Sequence, residues 1–142
     1  YNQDLVLGYN NTANPATFIE GIRIDSSGAV SFGKTIIYTP STAQVIDAVG
    51  DTILANATMI VLNPDANYIM TSAPTIANGT TGQILYITCD NAEANTVTVQ
   101  DEDALANTNL ELGGASRDIS GKDVLTLMFD GTNWIEQSYG NN

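Results

Sequence analysis

The chain has 142 residues, with sixteen Asp and Glu, four Lys and Arg and no His, which gives a formal net charge of −12. A surface of this sign repels nucleic-acid phosphates and anionic lipid headgroups, and no apolar stretch approaches the ~20 residues that span a bilayer, so we expect neither a nucleic-acid partner nor membrane insertion. The absence of His removes the commonest general base and metal ligand. Cys89 is the single cysteine, which excludes an internal disulfide. It lies in an apolar run, which predicts a buried and inert thiol.

The first 39 residues are predicted to form short strands separated by turns rich in Asn, Gly and Pro. These strands are residues 4–8, 18–20, 22–24, 30–32 and 36–38. The turn at residues 25–28 contains Gly28, which we expect to take a positive φ. Such strands are too short to build a core alone, so residues 1–39 are interpreted as an oligomerisation arm whose apolar faces meet copies from other chains. The alternative is that the arm packs on the following domain.

Residues 40–142 are predicted to form a second, larger β domain. Ser41 to Gln44 could cap a short helix or begin a strand. The further predicted strands are residues 59–62, 68–71, 83–88, 96–99, 109–112, 124–129 and 134–138, with turns at 63–65, 78–82, 113–114, 120–123 and 130–133. Several short strands rich in Val, Ile, Thr and Tyr indicate an all-β fold, in which fibre-like N-terminal strands precede a β-sandwich or jelly-roll-like domain.

Two groups of sequence phrases carry a resemblance to phage proteins. The phrase Arg-Ile-Asp-Ser-Ser-Gly-Ala-Val-Ser-Phe-Gly at residues 23–33 resembles the shaft modules of tailed-bacteriophage fibre proteins. Residues 40–138 resemble a small β domain near the ends of phage tail-fibre and related virion proteins, through phrases such as those at 95–101 and 129–136. The resemblance implies an extracellular virion structural protein with other virion proteins as partners.

Three acidic residues and a carboxylate pair are the candidates for chemistry. Asp101, Glu102 and Asp103 offer clustered oxygens without the spacing of a calcium loop, so a solvated acidic turn is expected, although three copies meeting on an axis could bind a cation. Asp130 and Glu136 could act on a sugar only if their carboxylates faced one another at ~5–9 Å. We therefore expect no catalytic residue, no metal, no cofactor and no enzymatic activity.

Two aromatic residues near the C-terminus, Trp134 and Tyr139, are the predicted glycan-binding residues. An aromatic ring packs on the apolar side of a saccharide while neighbouring polar groups bond its hydroxyls. Trp134 directly follows a turn and is the ring that could best be partly exposed, although a structural cap on the sandwich is the preferred interpretation of this residue.

The sequence is best interpreted as a homotrimeric tail-fibre end piece that binds a host-surface glycan without turning it over. Trimerisation would bury the short strands and combine three weak sites into one stronger contact. One alternative is a capsid decoration protein, and another is an extracellular filament or adhesin subunit joined by strand exchange.

Overall fold

The computed structural model describes residues 5–10, 18–32, 35–90 and 95–142. Every secondary-structure element within these ranges is a β-strand, which confirms the all-β prediction. The described ranges contain no helix that could cross a membrane. The chain divides into two compact units, Tyr1–Ile37 and Tyr38–Asn142. Asp4 of the first predicted strand and Gly33 of the shaft phrase lie outside the described residues.

The first unit contains one three-stranded antiparallel sheet. Its strands, in spatial order, are β1 (Leu5–Asn10), β2 (Phe18–Ile24) and β3 (Val30–Phe32). The two strands predicted at 18–20 and 22–24 are therefore one continuous strand. The turn between β2 and β3 is held by the Asp25 carboxylate, which accepts N–H bonds from Ser27 (2.8 Å) and Ala29 (3.0 Å). Gly28 has a φ of +86°, as predicted.

The strand predicted at residues 36–38 is absent. This segment finds no neighbouring strand to pair with, and the first pairing after it is a single bridge between Pro40 and Met59. Ser41 to Gln44 does not form a helix, and Gln44 begins a strand instead. The Gln44 side chain acts like an extra backbone unit at this edge, since its Oε1 accepts from Leu54 N (2.8 Å) and its Nε2 donates to Leu54 O (2.8 Å).

The second unit is a β-sandwich of two mixed sheets, which confirms the predicted fold class. Its strands are β4 (Gln44–Ile46), β5 (Met59–Pro64), β6 (Tyr68–Ile69), β7 (Ile84–Cys89), β8 (Val97–Gln100), β9 (Leu110–Glu111), β10 (Ser116–Ile119), β11 (Val124–Phe129) and β12 (Trp134–Gly140). The larger sheet has the order β4-β5-β7-β11-β12-β9, and the smaller has the order β10-β8-β6. The β4–β5, β5–β7, β12–β9 and β6–β8 pairs are parallel, and the remaining pairs are antiparallel.

Strict alternation along the central strands places the core between the two sheets. Every second residue of β5, β7 and β11 is buried, and the fully buried apolar ones are Ile60, Leu62, Leu85, Ile87, Leu125 and Leu127. The smaller sheet contributes Val97, Val99 and Ile119 from its inner face. Cys89 is buried as expected, its thiol donates to Ile119 O (3.0 Å), and burial raises its pKa to about 11.

The sandwich differs from the sequence prediction at the end of β5 and at β10, and β6 and β9 are shorter than the strands predicted at 68–71 and 109–112. The predicted turn at 63–65 begins later, because Asn63 and Pro64 complete β5 and Asp65 N bonds Ile46 O (3.2 Å). Pro64 is the last residue of its strand, where a missing N–H interrupts no further pairing. β10 was not predicted, because Ser-Arg-Asp-Ile has a single apolar residue and forms a strand only through its pairing with β8.

Candidate functional site

Trp134, the first predicted glycan-binding residue, lies in the interior of the sandwich. The pairing of Phe129 with Trp134 puts both rings on the inner face of the larger sheet, 4.9 Å apart between centroids. Trp134 is 0% exposed, and its Nε1–H donates to Ala77 O (3.1 Å). Partial exposure of Trp134 is therefore wrong, because the strand alternation directs this ring inward, and Trp134 has the structural role that the sequence favoured.

Tyr139, the second predicted residue, connects the two sheets at the rim of the sandwich. It is opposite Leu125 on the inner face of β12, is partly exposed, and its hydroxyl donates to the Asp118 carbonyl of β10. The Arg117 guanidinium carbon lies 5.2 Å from the ring centroid, within cation–π range. Partial burial raises the pKa of Tyr139, and the nearby carboxylates of Asp123 and Asp118 raise it further.

Arg117 and Glu136 form the centre of a polar cluster next to Tyr139, and we call these three side chains the rim cluster. Arg117 Nε lies 2.9 Å from Glu136 Oε2, and Arg117 Nη2 lies 3.0 Å from Oε1, so the ion pair is bidentate. The two side chains are 19% and 12% exposed. Sequence reasoning missed the role of Arg117.

Gly113 and Gly114 leave room for the Arg117 guanidinium. A Cβ at Gly113 would lie 2.8 Å from Nη2, and one at Gly114 would lie 2.9 Å from Nη1. Gly113 also donates its N–H to Glu136 Oε2 (3.0 Å). The signal in the sequence was a Gly-Gly pair three residues before an isolated arginine, which was interpreted only as a turn.

The two carboxylates considered for sugar cleavage have separate local partners. Asp130 accepts N–H bonds from Asn133 (2.8 Å) and Thr132 (2.7 Å), and these bonds lower its pKa. It closes the predicted hairpin, in which Asp130 N bonds Asn133 O (3.0 Å) and Gly131 has a φ of +115°. A lowered pKa does not suit a general acid. Glu136 is engaged by Arg117 and Gly113.

The acidic run at 101–103 is a turn organised by its first residue. Asp101 is buried, its Oδ2 accepts from Leu112 N (2.6 Å), and its Oδ1 accepts from Asp103 N (3.0 Å). Glu102 and Asp103 are exposed. The expected solvated turn is therefore correct for these two residues and wrong for Asp101. No group of three or more metal-ligating residues occurs in the described parts of the chain, and a cation shared by three copies stays a prediction.

Comparison with known families identifies the sandwich. A family model described as the phage depolymerase C-terminal beta sandwich domain matches residues 43–135. The chain belongs to this family. The match to this phage depolymerase C-terminal domain begins one residue before β4 and ends within β12, so it spans most of the second unit. No curated protein and no solved structure matches the chain.

Membership of the phage depolymerase C-terminal domain family makes the chain a phage tail-associated structural protein that belongs to the virion. Trp134 and Arg117 lie within the matched residues, whereas Glu136 and Tyr139 follow them directly. The rim cluster is thus completed by residues just beyond the matched segment.

Proposed function

We propose that this protein is a homotrimeric tail-fibre end piece that binds a host-surface glycan and does not cleave it. Its family is named after phage depolymerases, and a depolymerase by its name acts on a polymer. The family name therefore favours a polymeric saccharide as the ligand. The capsid-decoration and filament alternatives have no comparable support.

The observation that carries the trimer is an exposed apolar face on the N-terminal sheet. The register aligns Leu5, Ile24 and Val30 in one row and Leu7, Ile22 and Phe32 in the next, so all six residues lie on the same face. We call it the arm face. Its four outer-strand residues, Leu5, Leu7, Val30 and Phe32, are 50–55% exposed. Arg23 and Ser31 pair on the opposite face, where the register also puts Val6, so this face is more polar than the arm face.

Association of copies through the arm face would remove this apolar surface from water. Completing the burial of four half-exposed side chains contributes roughly 1 kcal/mol each, or about 4 kcal/mol per copy. A closed threefold arrangement gives every copy the same contact and leaves no unpaired face. Among the closed arrangements that satisfy this condition we propose the trimer, the assembly expected from the sequence of residues 1–39.

Sedimentation velocity on the full chain tests the trimer. Phe32→Glu places a charge on the arm face and should dissociate the assembly, whereas Ser31→Glu places the same charge on the opposite face of the same strand and should not. The wild type should sediment as a trimer at micromolar concentration. A folded wild-type monomer there would overturn the proposal.

The glycan is assigned to the rim of the sandwich near Tyr139, because this predicted ring keeps exposed surface and has the Arg117 guanidinium beside it. Trp134 is not included because its ring has no exposed area. The net charge of −12 disfavours heavily anionic polymers, so we propose a neutral or cationic saccharide as the ligand. Binding of a neutral glycan should be insensitive to salt.

A glycan array followed by analysis of soluble products tests the binding. Retention of a saccharide without released fragments supports the proposal. Released oligosaccharide that disappears in Glu136→Gln or Asp130→Asn would show an enzyme instead. An array without hits would overturn the glycan assignment and leave the decoration and filament alternatives.

A further inference from the structure

The larger sheet of the sandwich has an outward face of unusual composition. Along each strand, the residues that alternate with the buried ones point outward. The register aligns these outward residues in rows, such as the row of Ile84, Met128 and Ile135. We call this surface the outer face. Its residues are Val45, Met59, Val61, Asn63, Ile84, Tyr86, Thr88, Val124, Thr126, Met128, Ile135, Ser138 and Gly140.

Over these five strands the outer face carries no charged side chain and is mostly apolar, and Glu111 of β9, in register with Ile135, adds one carboxylate at its edge. Val45 and Ile84 are 62% and 43% exposed, and the other apolar members are partly exposed. Tyr38 packs on Tyr86 with ring centroids 5.9 Å apart. The β7–β11–β12 part of this sheet is antiparallel, and the exposed face of an antiparallel sheet is ordinarily polar. Water therefore meets an apolar surface on this side of the sandwich.

The smaller sheet of the same sandwich shows the ordinary pattern. Its outward residues on β8 and β10 are Thr98, Gln100, Ser116 and Asp118, and Thr98 Oγ1 donates to Asp118 Oδ1 (2.7 Å). Ile69 on the short edge strand β6 is an exposed apolar residue beside them. The two sheets thus differ in their outward faces although they share one core.

We infer that the outer face is a second self-association surface, on which copies of this chain pack against one another. Copies with a net charge of −12 repel, so like-with-like contact is favoured at a surface with little charge, and the outer face is such a surface. Its one carboxylate, Glu111, lies at the β9 edge in the row of Ile135 and accepts a hydrogen bond from Asn133 Nδ2 (2.7 Å).

The area of the outer face indicates how it would be used. Five strands spaced by ~4.8 Å and about 17 Å long give a patch on the order of 400 Å². This is within the range of the largest apolar patches on monomers and about half of the ~800 Å² that each partner of a stable complex buries. The outer face therefore cannot hold the assembly alone and acts together with the arm face. The inference rests on the proposed homotrimer.

Paired charge substitutions in the full chain test the outer face. Ile84→Glu places a carboxylate within it, and Ile69→Glu places the same group at a comparably exposed position on the smaller sheet. We expect Ile84→Glu to raise the dissociation constant about tenfold or more and Ile69→Glu to leave it unchanged. Val45→Glu, at the most exposed position of the outer face, should repeat the effect with the core undisturbed.

Methionine oxidation gives a readout that does not depend on a variant. Met59 and Met128 lie on the outer face, whereas Met70 is fully buried in the core. When the wild-type protein is concentrated through its association range, oxidation of Met59 and Met128 should slow, and that of Met70 should stay slow throughout. Unchanged oxidation of Met59 and Met128 in the assembled protein would overturn the inference.

The outcomes separate this inference from the proposed function. A wild-type trimer that Phe32→Glu dissociates and Ile84→Glu leaves intact would overturn the outer face alone. A wild-type monomer would overturn the trimer and the outer face together. If Phe32→Glu and Ile84→Glu both weaken the trimer while Ser31→Glu and Ile69→Glu leave it unchanged, both surfaces are supported.

Discussion

Arg117 and Glu136 join the two sheets of the sandwich through a bidentate ion pair, with Nε–Oε2 at 2.9 Å and Nη2–Oε1 at 3.0 Å. Arg117 belongs to β10 of the smaller sheet and Glu136 to β12 of the larger one. The Tyr139 hydroxyl bonds the Asp118 carbonyl between the same two strands. The rim of the sandwich is therefore closed by directional polar contacts, whereas its centre is filled by apolar side chains.

Replacing Glu136 by Gln should destabilise the sandwich, because the Arg117 guanidinium would keep only a neutral partner. We expect the free energy of unfolding to fall by about 1–3 kcal/mol, toward the lower end because both side chains are partly exposed. Urea denaturation measures the change. Glu102→Gln, at an exposed turn position, is the control and should stay within about 0.5 kcal/mol of the wild type. Equal stability of both variants would contradict a structural role for the ion pair.

Gly79 should not tolerate even a methyl group. A Cβ there would lie 2.7 Å from Cζ2 and Cη2 of Trp134, whose ring is held in place by its bond to Ala77. We expect Gly79→Ala to lower the free energy of unfolding by about 1–3 kcal/mol through overpacking. Gly50→Ala is the control, because a Cβ there meets nothing within 4 Å. Thermal unfolding followed by tryptophan fluorescence would compare the two, and an equally stable Gly79→Ala would show that the ring can move aside.

Local signals in the sequence predicted much of the fold correctly. The strand at Val124–Phe129 has the predicted bounds, since its strict alternation depends on its own residues. The hairpin closed by Asp130 and the positive φ of Gly28 follow from turn chemistry within four residues. Such features need no knowledge of distant partners.

The features that sequence reasoning missed depend on partners far along the chain. β10 forms because its backbone pairs with that of β8, which lies some twenty residues earlier in the chain. The burial of Trp134 depends on Ala77 and Gly79, more than fifty residues away, and Arg117 meets Glu136 only across the sandwich. A single sequence without known contacts does not contain these pairings. The partial exposure considered for Trp134 was therefore wrong, and a glycan site near Tyr139 stays a prediction.

Asp101 should matter more for stability than its neighbours in the acidic run. Its buried carboxylate holds the N–H groups of Leu112 and Asp103, and Asp101→Ala would leave the first of these without its partner. We expect a loss of about 1–3 kcal/mol in the free energy of unfolding. Asp103→Ala removes the same group from an exposed position and should have little effect. Chemical denaturation of the two variants measures the difference. Equal stability of Asp101→Ala and Asp103→Ala would mean that the acidic run is only a solvated turn.

Asp123 should give the sandwich part of its acid sensitivity. Burial of its carboxyl raises the pKa, but N–H bonds from Asn142 (2.8 Å) and Ser120 (3.1 Å) and the Ser120 hydroxyl (3.0 Å) outweigh burial, so the pKa lies below its usual value. A carboxyl with a depressed pKa in the folded state stabilises the protein above the unfolded-state pKa of about 3.9, and this contribution is lost as the pH falls through the folded-state pKa.

Asp123→Asn should therefore be less stable than the wild type by a constant amount near neutral pH, on the order of 1–2 kcal/mol. The difference should shrink below about pH 4, because the unfolded-state carboxyl takes up its proton there, and should vanish once the pH has fallen through the lower folded-state pKa. Thermal unfolding of both proteins between neutral and strongly acidic pH measures it. Asp103→Asn, in an exposed turn, is the control and should run parallel to the wild type. A difference between wild type and Asp123→Asn that persists undiminished into acid would mean that the contribution of Asp123 does not depend on its charge.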